Sequence, residues 1–319
     1  MATAIMLCNM GGPENLQDVR AYLENIFLDP EIIPIPIRGP LRHTFAAMLA
    51  GKRAPKTRKI FESMGGASPL LEITRHQAEA LEAVLDRGKE EFQVFPAMRY
   101  WRPLIPDVWN EIRAQKFDRI IVVSMFAYYS SATAGSVCKL VGELMQTAPT
   151  DAELLIIDRF GNHPEFIGAM AGQIVSYVGQ GADAPVHVLF SAHGIPVSNV
   201  NKGDPYRDEI EKAVEQLRQV LPEHYQLYLS FQSKIGPVKW LGPDTPDKID
   251  ELVTQGVETL WVYPLGFVAD NSETIYEIGK LYKEHAQQAG IKQYYRIPAL
   301  NEHPAFIKAL HTIIRDSIL

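Results

Sequence analysis

A short motif occurs twice in the chain, as NHPEFI at Asn162–Ile167 and as EHPAFI at Glu302–Ile307. The two copies are 140 residues apart. At the same offset, the apolar run 121–129 (IVVSMFAYY) falls on 261–269 (WVYPLGFVA). A fixed internal period indicates that one structural plan is written twice along the chain.

The beginnings of the two copies also match. Ala4–Pro13 (AIMLCNMGGP) and His187–Pro196 (HVLFSAHGIP) are each an apolar run that ends in small residues and a proline. Their offset is 183 residues against 140 for the motif, so the first copy holds about 43 extra residues. We place this surplus between Gly12 and a strand near Phe95–Arg99, and we call residues 14–66 the insertion segment.

Apolar runs alternate along the chain with stretches of helical periodicity. This alternation is typical of buried parallel strands in βαβ units. We therefore predict an α/β fold with two doubly wound parallel-sheet domains that face a central cleft. The first domain spans residues 1–150 and carries the insertion segment, and the second spans 151–319. The predicted helices are Ser68–Asp86, Pro106–Gln115, Thr133–Gln146, Pro205–Val220, Asp247–Gln255 and Ser272–Gly290.

The composition fits an ordinary globular protein. Of 319 residues, 46% are hydrophobic and 22% are charged, and the net charge of −7 argues against nucleic-acid binding. Two cysteines, Cys8 and Cys138, cannot supply a four-cysteine zinc or iron–sulfur site, and we expect both to be reduced. The N-terminus lacks a signal-peptide pattern, and no apolar stretch reaches the ~20 residues that span a bilayer. We therefore predict a cytoplasmic protein.

Ligands of doubly wound sheets bind outside the carboxyl ends of the strands. His193 lies at such an end, in the sequence Ser191-Ala-His-Gly, where its imidazole is an open candidate for a base or a metal ligand. A structural role for this histidine is the alternative. Arg99 ends another predicted strand, and Tyr129 and Ser130 follow a third. His163 and His303 precede helices, and we interpret them as caps or packing residues.

Three carboxylates, Asp270, Glu273 and Glu277, are spaced to share one face of an α-helix. Such a line suits a hard divalent cation or a proton relay. In the alternative, Asp270 is an N-cap and Glu273 completes a capping box, which leaves Glu277 unexplained. The insertion segment mixes apolar and cationic residues, a pattern that suits a large flat anionic ligand, a membrane surface or a plain helical lid.

The chain resembles the ferrochelatases over nearly its whole length. The resemblance rests on motifs that occur together and in order: Asn9–Pro13, Gly65–Leu70, Met98–Tyr100, Tyr129–Ser136, Ser191–His193, Gly203–Tyr206, Gln232–Lys234 and Gly266–Glu277. It implies two Rossmann-like halves and the insertion of Fe²⁺ into protoporphyrin IX, which gives protohaem and releases two protons. It departs from many members at Phe61, where they have tyrosine, and from some members at Phe231 and Asn271, where they have tryptophan and histidine.

The resemblance also implies roles for individual residues. His193 is the expected pyrrole proton acceptor, metal ligand or both, and Glu273 is its metal or proton partner. Asp270 and Glu277 continue the acidic path as further metal ligands. The insertion segment corresponds to a lip over the porphyrin. The residues expected to contact substrate are Met10, Arg53, Ser68, Arg99, Tyr129 and Ser130.

The partners implied are protoporphyrin IX and Fe²⁺, with no permanently bound cofactor and no iron–sulfur cluster. Two other activities stay open: a coproporphyrin III ferrochelatase and a cobalt chelatase of an early tetrapyrrole. A tetrapyrrole carrier without turnover, with His193 as axial ligand, is the alternative from another class. Peripheral membrane contact through the insertion segment and the oligomeric state are also left open.

Overall fold

The computed structural model describes residues 2–33, 37–85, 91–179, 185–234 and 238–318. The chain divides into two compact units. Unit 1 comprises Met1–Phe126, Ser130–Arg159 and Ile314–Leu319, whereas unit 2 comprises Ala127–Tyr129 and Phe160–Ile313. Unit 1 therefore continues past the predicted border at residue 150, because a strand at 153–157 pairs within its sheet.

The sheet of unit 1 is parallel and has the strand order β2-β1-β3-β4. Its strands are β1 (Ala2–Asn9), β2 (Glu91–Met98), β3 (Arg119–Ser124) and β4 (Glu153–Ile157). The central strand β1 is inaccessible from Ala4 to Cys8, which explains its unbroken apolar run, since a strand covered on both faces needs no polar side. The helices of this unit are α1 (Val19–Leu28), α2 (Pro40–Glu62), α3 (Leu70–Leu85), α4 (Ile105–Gln115) and α5 (Ala134–Thr147).

Helices α1 and α2 form the insertion segment. They share a small apolar cluster with Tyr100, and Tyr22 of α1 meets Trp101 edge to face with ring centroids 6.5 Å apart. Helix α2 buries mainly alanines on this side and exposes Leu41 and Met48 on another. The segment is therefore a helical pair packed on unit 1, while residues 34–36 of its apolar run lie outside the described residues.

Unit 2 repeats the topology, with the strand order β6-β5-β7-β8. Its strands are β5 (Val186–His193), β6 (Tyr225–Gln232), β7 (Thr259–Tyr263) and β8 (Gln293–Arg296). Its helices are α6 (Pro164–Val178), α7 (Val197–Val200), α8 (Tyr206–Val220), α9 (Thr245–Thr254), the π-helix Glu273–Leu281, α10 (Tyr282–Ala289) and α11 (Pro304–Ile318), of which the last residues from Ile314 onward belong to unit 1. The predicted α/β class with two parallel sheets is confirmed.

The repeated motif marks the same place in both copies. It follows the last strand of each sheet, β4 or β8, and opens a helix, α6 or α11. His163 Nδ1 accepts from the Glu165 amide at 3.3 Å, and His303 Nδ1 accepts from the Ala305 amide at 3.2 Å. The prediction that both histidines are caps is confirmed.

Most predicted helices have α-helices in their places, with ends shifted by one or two residues. Pro205 is the N-cap of α8, and Asp204 Oδ1 accepts from the Tyr206 amide at 3.1 Å. The single helix predicted over Ser272–Gly290 is wrong in type, because the structure has a π-helix followed by α10. Among the described residues, none of the helices is both long and apolar enough to cross a bilayer.

Candidate active site

The candidate site of unit 2 lies at the carboxyl ends of β5 and β6. His193 ends β5 and Gln232 ends β6, and the parallel register pairs these two residues directly. Ser233 follows with a left-handed backbone (φ 65°), which turns the chain sharply after the strand. Glu273 enters from the start of the π-helix that follows β7. The sheet and one helix thus bring four polar side chains together.

A single carboxylate oxygen is the centre of this group. Glu273 Oε2 lies 2.7 Å from His193 Nδ1 and accepts from Gln232 Nε2 at 3.0 Å. Ser233 Oγ is 3.2 Å from the same oxygen and 2.8 Å from Glu277 Oε2. The side chains of His193 and Glu273 remain 38% and 23% exposed, so a ligand can reach them.

The electrostatics favour the charged form of the pair. Burial alone would lower the pKa of His193, but the charge and hydrogen bond of Glu273, together with the charge of Glu277, raise it above 6.5. Burial alone would raise the pKa of Glu273, but His193 and the hydrogen bonds from Gln232 and Ser233 lower it. The histidine is therefore a stronger proton acceptor than a free imidazole.

The π-helix separates the predicted carboxylates into two groups. A π-helix has a wider turn than an α-helix and occurs often at functional sites. Glu273 and Glu277 both reach Ser233, whereas Asp270 precedes the helix. Asn271 Oδ1 accepts from the Glu273 amide at 2.8 Å, so the proposed Asp270–Glu273 capping box does not form.

Asp270 has its own set of partners. Its Oδ1 accepts from Arg296 at 2.7 Å and from Thr274 Oγ1 at 2.6 Å, and its Oδ2 accepts from Asn301 at 3.1 Å. These bonds connect Asp270 to β8, to the loop after β8 and to the π-helix. Within the described residues there is no group of three or more histidine, cysteine or acidic side chains placed to hold a metal ion. The four predicted metal ligands are therefore not assembled around one point.

Arg99, a predicted substrate-binding residue of unit 1, is held by a buried carboxylate. Asp29 accepts from Arg99 Nη2 at 2.8 Å and from the Tyr100 hydroxyl at 2.7 Å, and Ser136 accepts from Arg99 Nε at 2.8 Å. The Asp29 side chain is 2% exposed against 20% for Arg99. The sequence does not single out Asp29, because the largely apolar stretch Ile26–Ile33 holds two acids, Asp29 and Glu31, and nothing in it distinguishes them.

The other predicted substrate contacts are spread over both units. In unit 1, Arg53 is exposed on α2, Met10 and Ser68 are half-buried, and Ser130 is buried. In unit 2, the Tyr129 amide donates to Glu209 at 2.9 Å. Their roles stay predictions.

The comparisons with known proteins agree with the motifs. A family model described as Ferrochelatase matches residues 2–318. The chain belongs to the ferrochelatase family. It is therefore an enzyme of the metal chelatase kind, in the lyase class. It is 41% identical to the ferrochelatase of Synechococcus sp. (strain JA-3-3Ab), over 99% of this chain and 94% of that one. It is 38% identical to the ferrochelatase of Geotalea daltonii, over 98% of this chain and 97% of that one.

Solved structures of chelatases share the fold of this ferrochelatase-family chain. SirB from Bacillus subtilis, with Fe³⁺, matches with a TM-score of 0.59 at 12% identity, over 99% of this chain and 96% of that one. CbiX, described as the terminal enzyme of sirohaem biosynthesis in denitrifying bacteria, matches with a TM-score of 0.52 at 14% identity, over 99% of both chains. At such low identity these matches establish the fold alone.

Proposed function

We propose that this enzyme inserts Fe²⁺ into protoporphyrin IX, so that the two pyrrole N–H protons leave and protohaem forms. The observation that carries the proposal is the 2.7 Å contact between His193 Nδ1 and Glu273 Oε2 at the carboxyl end of β5. Metal insertion requires a base beside the pyrrole nitrogens and a group that balances charge as the metal enters. The pair supplies both functions at one exposed point.

The hydrogen bond assigns different tasks to the two imidazole nitrogens. When the imidazole is neutral, Nδ1–H donates to Glu273, which leaves the Nε2 lone pair available for a pyrrole proton or for the metal. Once Nε2 takes a proton, the Glu273 carboxylate stabilises the imidazolium and keeps the ring in place. Glu277, which shares Ser233 with Glu273, is the proposed next acidic group on the proton or metal path.

The proposed porphyrin contacts are Met10, Arg53, Ser68, Arg99, Tyr129 and Ser130, and they rest on the family motifs. Arg99 is pre-positioned for a substrate carboxylate, because Asp29 and Ser136 fix its guanidinium while part of it stays exposed. Arg53, exposed on α2, offers a second cation. We propose a structural role for Asp270 and not a metal-binding one, since Arg296 already balances the charge of its carboxylate.

The surface of the insertion segment supports protoporphyrin as the proposed substrate. Leu41 and Met48 on α2 are 72% and 60% exposed, which favours the less carboxylated protoporphyrin over coproporphyrin III. The same residues support a peripheral membrane contact. We propose no permanently bound cofactor. Cys8 is inaccessible within β1, while Cys138 lies on α5.

An anaerobic assay with Fe²⁺ tests the proposal, with protoporphyrin and coproporphyrin run side by side. The expected result is loss of the free-porphyrin spectrum, faster with protoporphyrin. Faster turnover of coproporphyrin would instead assign the enzyme to the second substrate. Binding of both porphyrins without spectral conversion would refute insertion and leave a carrier.

A further inference from the structure

A buried chain of polar side chains lies behind Glu273 in unit 2. Gln232, 1% exposed, donates from Nε2 to Glu273 Oε2 at 3.0 Å. Its other end, Oε1, accepts from the Ser191 hydroxyl at 2.9 Å. Because a carboxylate can only accept, the Gln232 NH₂ group faces Glu273, and this leaves the amide oxygen to accept from Ser191.

Two further hydroxyls continue the chain away from the site. Thr245 Oγ1 lies 2.9 Å from Ser191 Oγ and 3.0 Å from Ser230 Oγ. Ser230 in turn donates to the Phe190 carbonyl at 3.2 Å. Ser191, Ser230 and Thr245 are each 0% exposed, so water cannot replace a hydroxyl that is lost.

The hydrogens of this chain can be counted. The Ser191 hydrogen goes to Gln232, and the Ser230 hydrogen goes to the backbone carbonyl. The single Thr245 hydrogen therefore serves one of the two serines. Thr245 is the first residue of α9, and its own amide is bonded to Asp244 at 3.2 Å. The first residue of α9 thus places its hydroxyl within hydrogen-bond distance of serines on two adjacent strands, β5 and β6.

We propose that Thr245 is a positioning residue that acts through Ser191 and Gln232 to hold the Glu273 carboxylate against His193. The inference rests on the proposed function, because it concerns how that site is kept in its working geometry. Without the Thr245 hydroxyl, Ser191 loses a buried partner and is free to turn from Gln232. A Gln232 amide held less firmly would let its NH₂ group move from Glu273 Oε2, and the carboxylate would lose that support against His193.

The test compares Thr245→Val, which keeps the shape and removes the hydroxyl, with Thr245→Ser, which keeps the hydroxyl. Loss of a buried hydrogen bond of this kind corresponds to about a tenfold effect. We expect Thr245→Val to lower kcat about tenfold with an unchanged KM for porphyrin, and Thr245→Ser to stay within about twofold of the parent. Thr3→Val is the matched control, since Thr3 is a 1% exposed threonine at the amino end of β1.

Ser191→Ala gives a second route to the same result if Thr245→Val fails to fold. Equal kcat for Thr245→Val, Thr245→Ser and the parent, with all three folded, would overturn the inference. Rise of the porphyrin KM with unchanged kcat would also overturn it. Absence of turnover in the parent would instead refute the proposed function. In that case the NMR signal of the ¹⁵N-labelled side-chain amide of Gln232 still tests the buried row of polar side chains. A change in its chemical shift in Thr245→Val but not in Thr3→Val supports the inference, and an unchanged chemical shift contradicts it.

Discussion

Replacement of Glu273 by glutamine tests how the carboxylate supports His193. The change preserves the shape of the side chain and removes the charge that faces Nδ1 across 2.7 Å. A hydrogen bond to a charged group contributes about 1.5–3 kcal/mol. Because His193 is 38% exposed, solvent screening places the effect near the lower end. We therefore expect kcat to fall about tenfold or somewhat more.

The pH dependence of the same variant gives the sharper readout. His193 must be neutral to accept a pyrrole proton, so activity rises as the pH passes its pKa. Glu273 raises that pKa above 6.5 in the parent, whereas burial alone lowers it. Glu273→Gln should therefore move the rising limb of the kcat/KM profile to lower pH. The assay is anaerobic porphyrin consumption between about pH 5 and 9, a range that brackets the ordinary histidine pKa.

Glu153→Gln is the matched control, since Glu153 forms a 2.7 Å ion pair with Arg119 at the base of the unit 1 sheet. Glu153→Gln should leave both kcat and the pH of the rising limb of the kcat/KM profile unchanged. A limb that stays fixed in Glu273→Gln, or one that moves to higher pH, would refute the reasoning about the pair.

Further predictions follow from the other charged groups. The His193–Glu273 pair should stabilise the fold most between about pH 4.5 and 6.5. Above this window His193 deprotonates through its raised pKa, and below it Glu273 is protonated through its lowered pKa, so the ion pair is lost on both sides. The difference in Tm between the parent and Glu273→Gln, measured against pH, checks this. Asp270→Asn should cost about 3 kcal/mol of unfolding free energy by denaturant titration, because it strands Arg296, with kcat of the folded fraction nearly unchanged; a large kcat loss at full stability would return Asp270 to the metal path. Asp29→Asn should raise the porphyrin KM severalfold in steady-state kinetics by releasing Arg99, and an unchanged KM would argue against Arg99 as a substrate ligand.

The fold was largely predictable because the chain repeats itself. The motif at 162 and 302 and the aligned apolar runs place equivalent strands and helices in two copies, and the two sheets share one strand order. Strands β4 and β8 were not predicted. Both are short strands at the edge of their sheets, with alternating or mixed burial and no long apolar run.

The sequence predicts that His193 and Glu273 lie together, but it does not predict which other carboxylates lie with them. His193 and Glu273 were expected together and lie in contact. Asp270 was grouped with them because spacings of three and seven residues share a face of an α-helix. The chain forms a π-helix over Glu273–Leu281 instead, and Arg296, which is distant in sequence, donates a hydrogen bond to the Asp270 carboxylate. Neither the helix type nor such a distant partner has a local sequence signal.

The role of Gln232 lay outside sequence reasoning for a related reason. The sequence shows a polar run at the end of a predicted strand, and a solvated loop is an adequate account of it. The parallel register of β5 and β6 places Gln232 beside His193. It also brings the Ser191 hydroxyl to the amide oxygen of Gln232. A contact that depends on register cannot be read from either strand alone.

We propose that His193 takes the pyrrole protons as iron enters the porphyrin. The most direct test is anaerobic protoporphyrin consumption with Fe²⁺ by His193→Ala, with porphyrin binding measured on the same samples by fluorescence. Porphyrin should bind to this variant with near-parent affinity, while porphyrin consumption should fall to the uncatalysed rate. Turnover close to that of the parent would contradict the proposal.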